Sequence, residues 1–159
     1  MKKGIISVLS FSAGAAGGLF FGKKTSNASI KEKEKKIDRL RLYYNVLLEW
    51  LQKKQDGKNL EDYFIEKEYK TVAIYGMGEL GLRLADELKD SSIELKYGID
   101  KNASSVYSDL ELKDPDDSFD DVDVIVVTPI FAFDDIENEL SSKVNCPIIS
   151  LEEVVSNLS

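Results

Sequence analysis

The chain has no histidine and one cysteine, Cys146, in 159 residues. Without histidine it lacks the commonest general base and metal ligand. Ser-His-Asp and Cys-His catalysis are excluded, and so is a His-ligated zinc or iron site. One thiol forms no intrachain disulfide, so nothing here is built for an oxidising compartment. Cys146, beside Pro147, reads as a small buried hydrophobe. Positive charge is also scarce: 21 Lys and Arg stand against 29 Asp and Glu, a net of -8. The scarcity is uneven. Residues 1–41 carry +7, which leaves -15 for residues 42–159 of the total -8. A phosphate backbone needs a basic face, so the acidic part argues against a nucleic-acid partner. Such asymmetry points to two regions that meet different surroundings.

Charge is missing altogether from Gly4 to Gly22, a run of 19 residues. About 20 apolar residues span a bilayer as a helix. A single membrane span is the first expectation. A cleaved signal peptide, with Ala13-Gly14-Ala15 as the small residues for cleavage, and a surface-lying helix or soluble tail are the alternatives. Basic residues are heavier after the run than before it, which places the C-terminal side in the cytoplasm. Gly14, Gly18 and Gly22 recur every fourth residue, a spacing that lets two helices approach closely in lipid. Residues 23–41 hold eight Lys or Arg, a basic stretch for anionic membrane lipid.

Glycine and proline are absent from Ile30 to Lys54. The spacing of Ile37, Leu40, Tyr44, Leu47, Leu48 and Leu51 predicts a helix there, with Ser29 as its cap. A heptad frame fits Ile30, Ile37, Tyr44 and Leu51 at one core position and Leu40 and Leu47 at the other. Lys33 breaks the second set, so about two clean heptads remain, short of a confident coiled coil. The expectation is an amphipathic helix packed on its own domain; a stalk that pairs into a homodimer is the alternative. Asp56-Gly57 ends the helix, and a short one follows from Leu60 to Glu68.

Thr71-Val72-Ala73-Ile74-Tyr75 reads as a buried parallel strand. It runs into Gly76-Met77-Gly78-Glu79-Leu80-Gly81, and a helix with Leu80, Leu82, Leu84, Ala85 and Leu88 follows. A second strand, Ile93 to Ile99, ends at Asp100, 22 residues after Gly78. Each glycine has a physical task in such a unit. The first permits the turn off the strand, the second lets a pyrophosphate approach the backbone, and the third lets helix and strand pack closely. The helix start offers amide donors to phosphate. A carboxylate at Asp100 is placed to accept ribose hydroxyls and to repel a 2′-phosphate, so NAD is preferred over NADP. Glu79 is tolerable beside a phosphate only if its side chain points away.

The rest predicts a small sheet. Asp109–Leu112 is an edge strand, Val122–Val127 a strand covered on both faces, Phe131–Leu140 a helix, Pro147–Ser150 a last strand and Leu151–Leu158 a closing helix. Thr128-Pro129 stops the covered strand at the carboxyl edge, where ligands bind in open α/β sheets. The expected fold class is therefore α/β, a compact Rossmann-like parallel sheet of about five strands preceded by N-terminal helices and a transmembrane helix. The organisation is 1–24 membrane or signal-anchor segment, 25–69 basic stalk and connecting helices, and 70–159 nucleotide-binding domain. The candidate nucleotide-binding residues are Gly76, Met77, Gly78, Glu79, Leu80, Gly81, Asp100, Lys101, Thr128 and Pro129.

A catalytic set is harder to find. Two Tyr-x-x-x-Lys pairs occur, Tyr63 with Lys67 and Tyr97 with Lys101. The first precedes the sheet and the second straddles a strand end, so both read as chance. Methyl transfer from S-adenosylmethionine fits less well, because Tyr75 stands where those enzymes usually carry an acidic residue. The nucleotide unit of about 90 residues is not expected to supply a second domain to hold a substrate. The reading is a tethered binding module rather than an enzyme; an NAD-dependent oxidoreductase or sugar-nucleotide epimerase completed by oligomerisation is the alternative.

The stretch from Tyr43 through YGMGELGLRLADELKDSSIELKYGIDKN, with VDVIVVTPIFAFDDIENEL and CPIISLEEV, resembles small Rossmann modules of Firmicutes-type bacteria. These are labelled nucleoside-diphosphate-sugar epimerase-like and occur alone or joined to glycosyltransferases. The resemblance implies a role in cell-surface polysaccharide biosynthesis, a bound nucleotide or nucleotide-sugar, and a glycosyltransferase partner. Gly76, Gly78, Gly81 and Asp100 match the family's loop and acidic residue. The Tyr and Lys pair of true epimerases is not matched.

Overall fold

Side chains alternate along Thr71–Tyr75, the first strand (β1), and each face of that strand meets a different core. Val72 and Ile74 join one apolar cluster, while Ala73 and Tyr75 join the other. A strand buried on both faces needs helices on both sides, and the sequence supplies them. The computed structural model describes the backbone of residues 3–158 and the side chains of residues 29–158.

The elements run α1 (Lys3–Gln55), α2 (Leu60–Glu66), β1 (Thr71–Tyr75), α3 (Glu79–Leu88), β2 (Glu94–Ile99), β3 (Leu112–Lys113), β4 (Val124–Val127), α4 (Phe133–Leu140), β5 (Ile148–Ser150) and α5 (Leu151–Ser156). Short 3-10 turns cover Ala103–Ser105 and Ile130–Ala132. The five strands form one all-parallel sheet in the order β3-β2-β1-β4-β5. From β1 the chain moves outward through α3 to β2, and from β4 it moves the opposite way through α4 to β5. Right-handed crossovers in opposite directions place their helices on opposite faces. Accordingly Leu80, Leu84 and Leu88 of α3 pack in one cluster with α2 and α5, and Ile136 and Leu140 of α4 pack in the other.

The chain separates into two compact units, residues 1–41 and 42–159. In the first, Asp38 and Arg41 form an exposed ion pair at 3.6 Å. Ser29 lies inside α1 rather than capping it, since no Gly or Pro between Lys23 and Ser29 interrupts the helix. Among the described residues, no helix is long and apolar enough to cross a membrane. The expected span at Gly4–Gly22 and the face at Gly14, Gly18 and Gly22 fall on residues whose side chains lie outside those described.

In the second unit, the last turns of α1 correct the expected packing. Val46 and Trp50 are buried, with Leu42 and Tyr43 against the same cluster. The heptad positions Tyr44, Leu47 and Leu51 are exposed, and so is Leu48. The helix carries two apolar faces, and the more regular one is not the one its own domain uses. Glu87 of α3 fixes this helix in place. Its carboxylate accepts from Trp50 Nε1 at 2.8 Å and from the Leu60 amide at 2.9 Å, and it pairs with Lys54 at 3.2 Å. Lys53 donates to the Leu158 carbonyl, tying α1 to the chain end.

Element ends differ from the sequence pattern by physical causes. The edge strand is Leu112–Lys113, not Asp109–Leu112, because it pairs in register only with Gly98 and Ile99 at the carboxyl end of β2. Helix α4 begins at Phe133, since the 3-10 turn after Pro129 takes Ile130–Ala132. Helix α2 stops at Glu66; Lys67 caps it and Glu68 follows at φ 60°. Cys146 is half-buried rather than buried, against the α4-side cluster, and burial pushes its thiol pKa up. A thiol held protonated is a poor nucleophile.

The amino edge of the sheet is closed by Asp123, whose carboxylate accepts from the amides of Lys70 and Thr71, both at 2.8 Å. These bonds hold its pKa below the ordinary 3.8. A carboxylate with a depressed folded-state pKa adds stability above its unfolded value and loses it as pH falls through the folded one. Asp123→Asn is therefore expected to flatten the loss of thermal stability below about pH 4, as read by melting temperature against pH. An unchanged acid slope would contradict that role.

Candidate functional site

The loop after β1 sits where the sheet reverses its winding, between the carboxyl ends of β1 and β4. In open α/β sheets such a switch point leaves a crevice for ligands. The three glycines of the loop play different parts in it. Gly76 has φ +89°, a conformation that favours glycine, and a Cβ there would meet Pro129 Cδ at 2.5 Å and Thr128 Oγ1 at 2.9 Å. Gly81 lies in the first turn of α3, and a Cβ there would stand 2.1 Å from the Gly76 carbonyl oxygen. The close approach of helix to strand thus requires Gly81. Gly78 is different. It caps α3 at φ -75°, and a Cβ there would meet nothing within 4 Å. Neither backbone angle nor packing requires glycine at this exposed position.

The floor of the crevice is closed. Thr128, a polar residue buried to 4% exposure, donates from Oγ1 to the Gly76 carbonyl at 2.5 Å. Its amide donates to the Tyr75 carbonyl at 2.9 Å. Pro129 packs its ring against Gly76. Thr128 and Pro129 therefore shape the loop from below. Gly78 and the first amides of α3 lie on the open side of the loop. Those amides have no acceptor within their own helix turn.

Met77 is 1% exposed, and its side chain turns into the core instead of toward a ligand. Its Cγ and Sδ occupy the space that a Cβ at Gly98 would fill, at 2.7 and 2.9 Å. Gly98 was not singled out from the sequence; a glycine inside an apolar strand was the available signal. Leu80 is also in the core. Glu79 is exposed, so its side chain is directed to solvent. Lys101 is exposed in the turn after β2.

Asp100 ends β2 beside the loop. Its Oδ2 accepts from the Met77 amide at 2.8 Å, and its Oδ1 accepts from the Asn102 amide at 2.8 Å. The carboxylate thus braces the loop as well as facing it. A carboxylate has about four lone-pair positions, so two bonds leave each oxygen able to accept one more. Tyr75, the residue before Gly76, contributes a feature the sequence reading missed. It is 3% exposed, and its hydroxyl has no hydrogen-bond partner. Burial, then the carboxylates of Glu139, Asp100 and Asp114, push its pKa up to about 12. An orphaned buried hydroxyl at the carboxyl end of β1 is costly unless something accepts from it.

The two Tyr-x-x-x-Lys pairs are occupied elsewhere. Tyr63 donates to Glu153 at 3.2 Å and Tyr97 donates to the Asp120 carbonyl at 2.7 Å. Burial raises the pKa of both, opposite to what a proton-transferring phenolate needs. A groove of about 510 Å³ lies along α3 and the amino end of β2, lined by Leu82, Leu95, Tyr107 and Leu110 among others. It is at the amino end of the strands, opposite the glycine loop, and its rim carries the ion pairs Arg83–Asp86 and Lys89–Asp109. Among the described residues no His, Cys, Asp and Glu cluster is placed to hold a metal ion. No family model, curated protein or solved structure matches the chain.

Proposed function

We propose that this chain is a Rossmann-like, non-catalytic nucleotide-binding module, with NAD or a nucleotide-sugar as its ligand. The observation that carries the reading is Gly78: a glycine that neither its φ nor its surroundings require, at the open start of α3. Absence of a side chain there has its use in letting a pyrophosphate reach the backbone. The amides of Gly78, Glu79 and Leu80 would hold the phosphates, aided by the positive end of the helix. The free lone pairs of Asp100 would accept ribose hydroxyls, which favours NAD over its 2′-phosphorylated form. The strand order, with its switch point between β1 and β4, supports the same reading.

The wider role is proposed from sequence: attachment to the cytoplasmic side of the cell membrane through Gly4–Gly22 and the basic stretch, and service to cell-surface polysaccharide biosynthesis beside a glycosyltransferase. Calorimetric titration of the full chain with NAD, NADP and UDP-sugars tests the binding. Binding of one ligand that Gly78→Val removes, with the fold intact by circular dichroism, is the expected result. Binding that survives Gly78→Val would move the site away from the loop.

A further inference from the structure

We infer that Phe131, braced by Tyr43, is a stacking platform for the second ring of a dinucleotide, so that the ligand is NAD and not a nucleotide-sugar. The inference rests on nucleotide binding at the glycine loop and adds where the other end of that ligand lies.

The sheet order sets the direction. β2 and β4 flank β1 on opposite sides, with neighbouring strands about 4.8 Å apart. A ligand with its phosphates at Gly78 and one ribose on Asp100, at the end of β2, therefore carries its other end toward β4. There the chain runs through Thr128 and Pro129 into the 3-10 turn Ile130–Ala132. Pro129 lies against Gly76, so Phe131 is two residues from the glycine loop's own support. The turn is held by its backbone. The Ile130 amide donates to the Thr128 carbonyl and the Ala132 amide to the Pro129 carbonyl, both at 2.8 Å. Ile130 shares a core with Leu80 of the first turn of α3, and Tyr43 packs against that core. All of these residues belong to the second compact unit.

The ring pair has surface to offer. Phe131 meets the Tyr43 ring edge-on, with centroids 5.9 Å apart and an 88° angle between planes, and still keeps 42% of its surface exposed. An edge-to-face contact is a preferred aromatic geometry and fixes the ring it holds. A flat ring laid on such a platform gains about ten-fold or more in affinity. The surroundings select the kind of ring. A sugar brings several hydroxyls that need polar partners placed to meet them. Pro129, Ile130, Phe131 and Ala132 present apolar side chains, and Thr128 Oγ1 is already donated to the Gly76 carbonyl. A nicotinamide ring asks for the flat apolar contact that this turn supplies.

Calorimetric titration of the full chain with NAD, ADP-ribose and UDP-glucose tests the inference. ADP-ribose is NAD without its nicotinamide, so the ratio of the two affinities isolates the platform. NAD is expected to bind about ten-fold more tightly than ADP-ribose, and more tightly than UDP-glucose. Phe131→Leu keeps an apolar side chain against Tyr43 and removes the aromatic face. It is expected to make NAD and ADP-ribose equal, with ADP-ribose affinity and melting temperature as in wild type. Phe131→Trp is expected to keep the preference for NAD. Equal affinities in wild type, a preference that Phe131→Leu retains, or tighter binding of UDP-glucose overturns the inference and leaves the nucleotide reading standing. No binding of any of the three overturns both.

Discussion

Gly81→Ala should unfold this protein or remove about 3–5 kcal/mol of its stability, whereas Gly78→Ala, three residues earlier, should cost less than about 1 kcal/mol. The contrast follows from what a methyl group meets. At Gly81 it stands 2.1 Å from the Gly76 carbonyl oxygen and 3.1 Å from its carbon, both backbone atoms. Neither can swing aside as a side chain can. Gly76 is itself held by its amide on the Ile99 carbonyl, by Thr128 Oγ1 and by the Pro129 ring. Relief therefore requires α3 to lift from the sheet, opening the core around Leu80, Leu84 and Leu88. At Gly78 the methyl group enters open space at an ordinary φ, and the remaining cost is that of alanine as a helix cap. Urea unfolding of the two variants checks this. Equal losses would mean that the helix and strand are not in the contact described.

Glu87→Ala should remove about 3 kcal/mol, large for a residue outside the apolar core. The loss strands two donors at once. Trp50 Nε1 and the Leu60 amide both end on this carboxylate, and Lys54 loses its pair. An unsatisfied buried donor costs about 1–3 kcal/mol; the half-exposed Lys54 contributes little. Glu87→Gln keeps one acceptor oxygen for two donors, so it should recover part of the loss. Trp50 is the only tryptophan, so its fluorescence reports the site directly. A Glu87→Ala protein within about 0.5 kcal/mol of wild type would show that α1 is held by apolar packing alone.

The parts legible in sequence are those where one local pattern decides the structure. Thr71–Tyr75 is flanked by a polar turn and a glycine, and its β-branched run allows little else; the observed strand has the same bounds. The α/β class and the five parallel strands follow from alternating apolar runs and helical segments. What the pattern misplaced depends on tertiary partners. Helix α1 has two apolar faces, and periodicity cannot say which one the domain takes. The edge strand moved because the amides of Gly98 and Asp100 reach it, donating to the Glu111 and Lys113 carbonyls.

The candidate site shows the same division. Gly76, Gly78 and Gly81 share one motif, yet only the coordinates separate two glycines the fold requires from one it does not. Met77 was grouped with the ligand contacts by its position, but its side chain fills the gap above Gly98. Thr128 and Pro129 lie at the expected edge and brace the loop from beneath. Asp100 does two things that its spacing cannot distinguish: it fixes the Met77 amide, and it keeps lone pairs free. The bare hydroxyl of Tyr75 depends on what surrounds it in space, which no local motif encodes.

The central claim is that the open amides behind Gly78 hold a nucleotide phosphate. Titration of the full chain with NAD and UDP-sugars, repeated on Gly78→Val, tests it most directly. The account predicts saturable binding of one of these ligands, lost in the variant while its unfolding midpoint stays near wild type. No heat of binding from any of them at millimolar concentration would contradict it and leave the loop a purely structural turn.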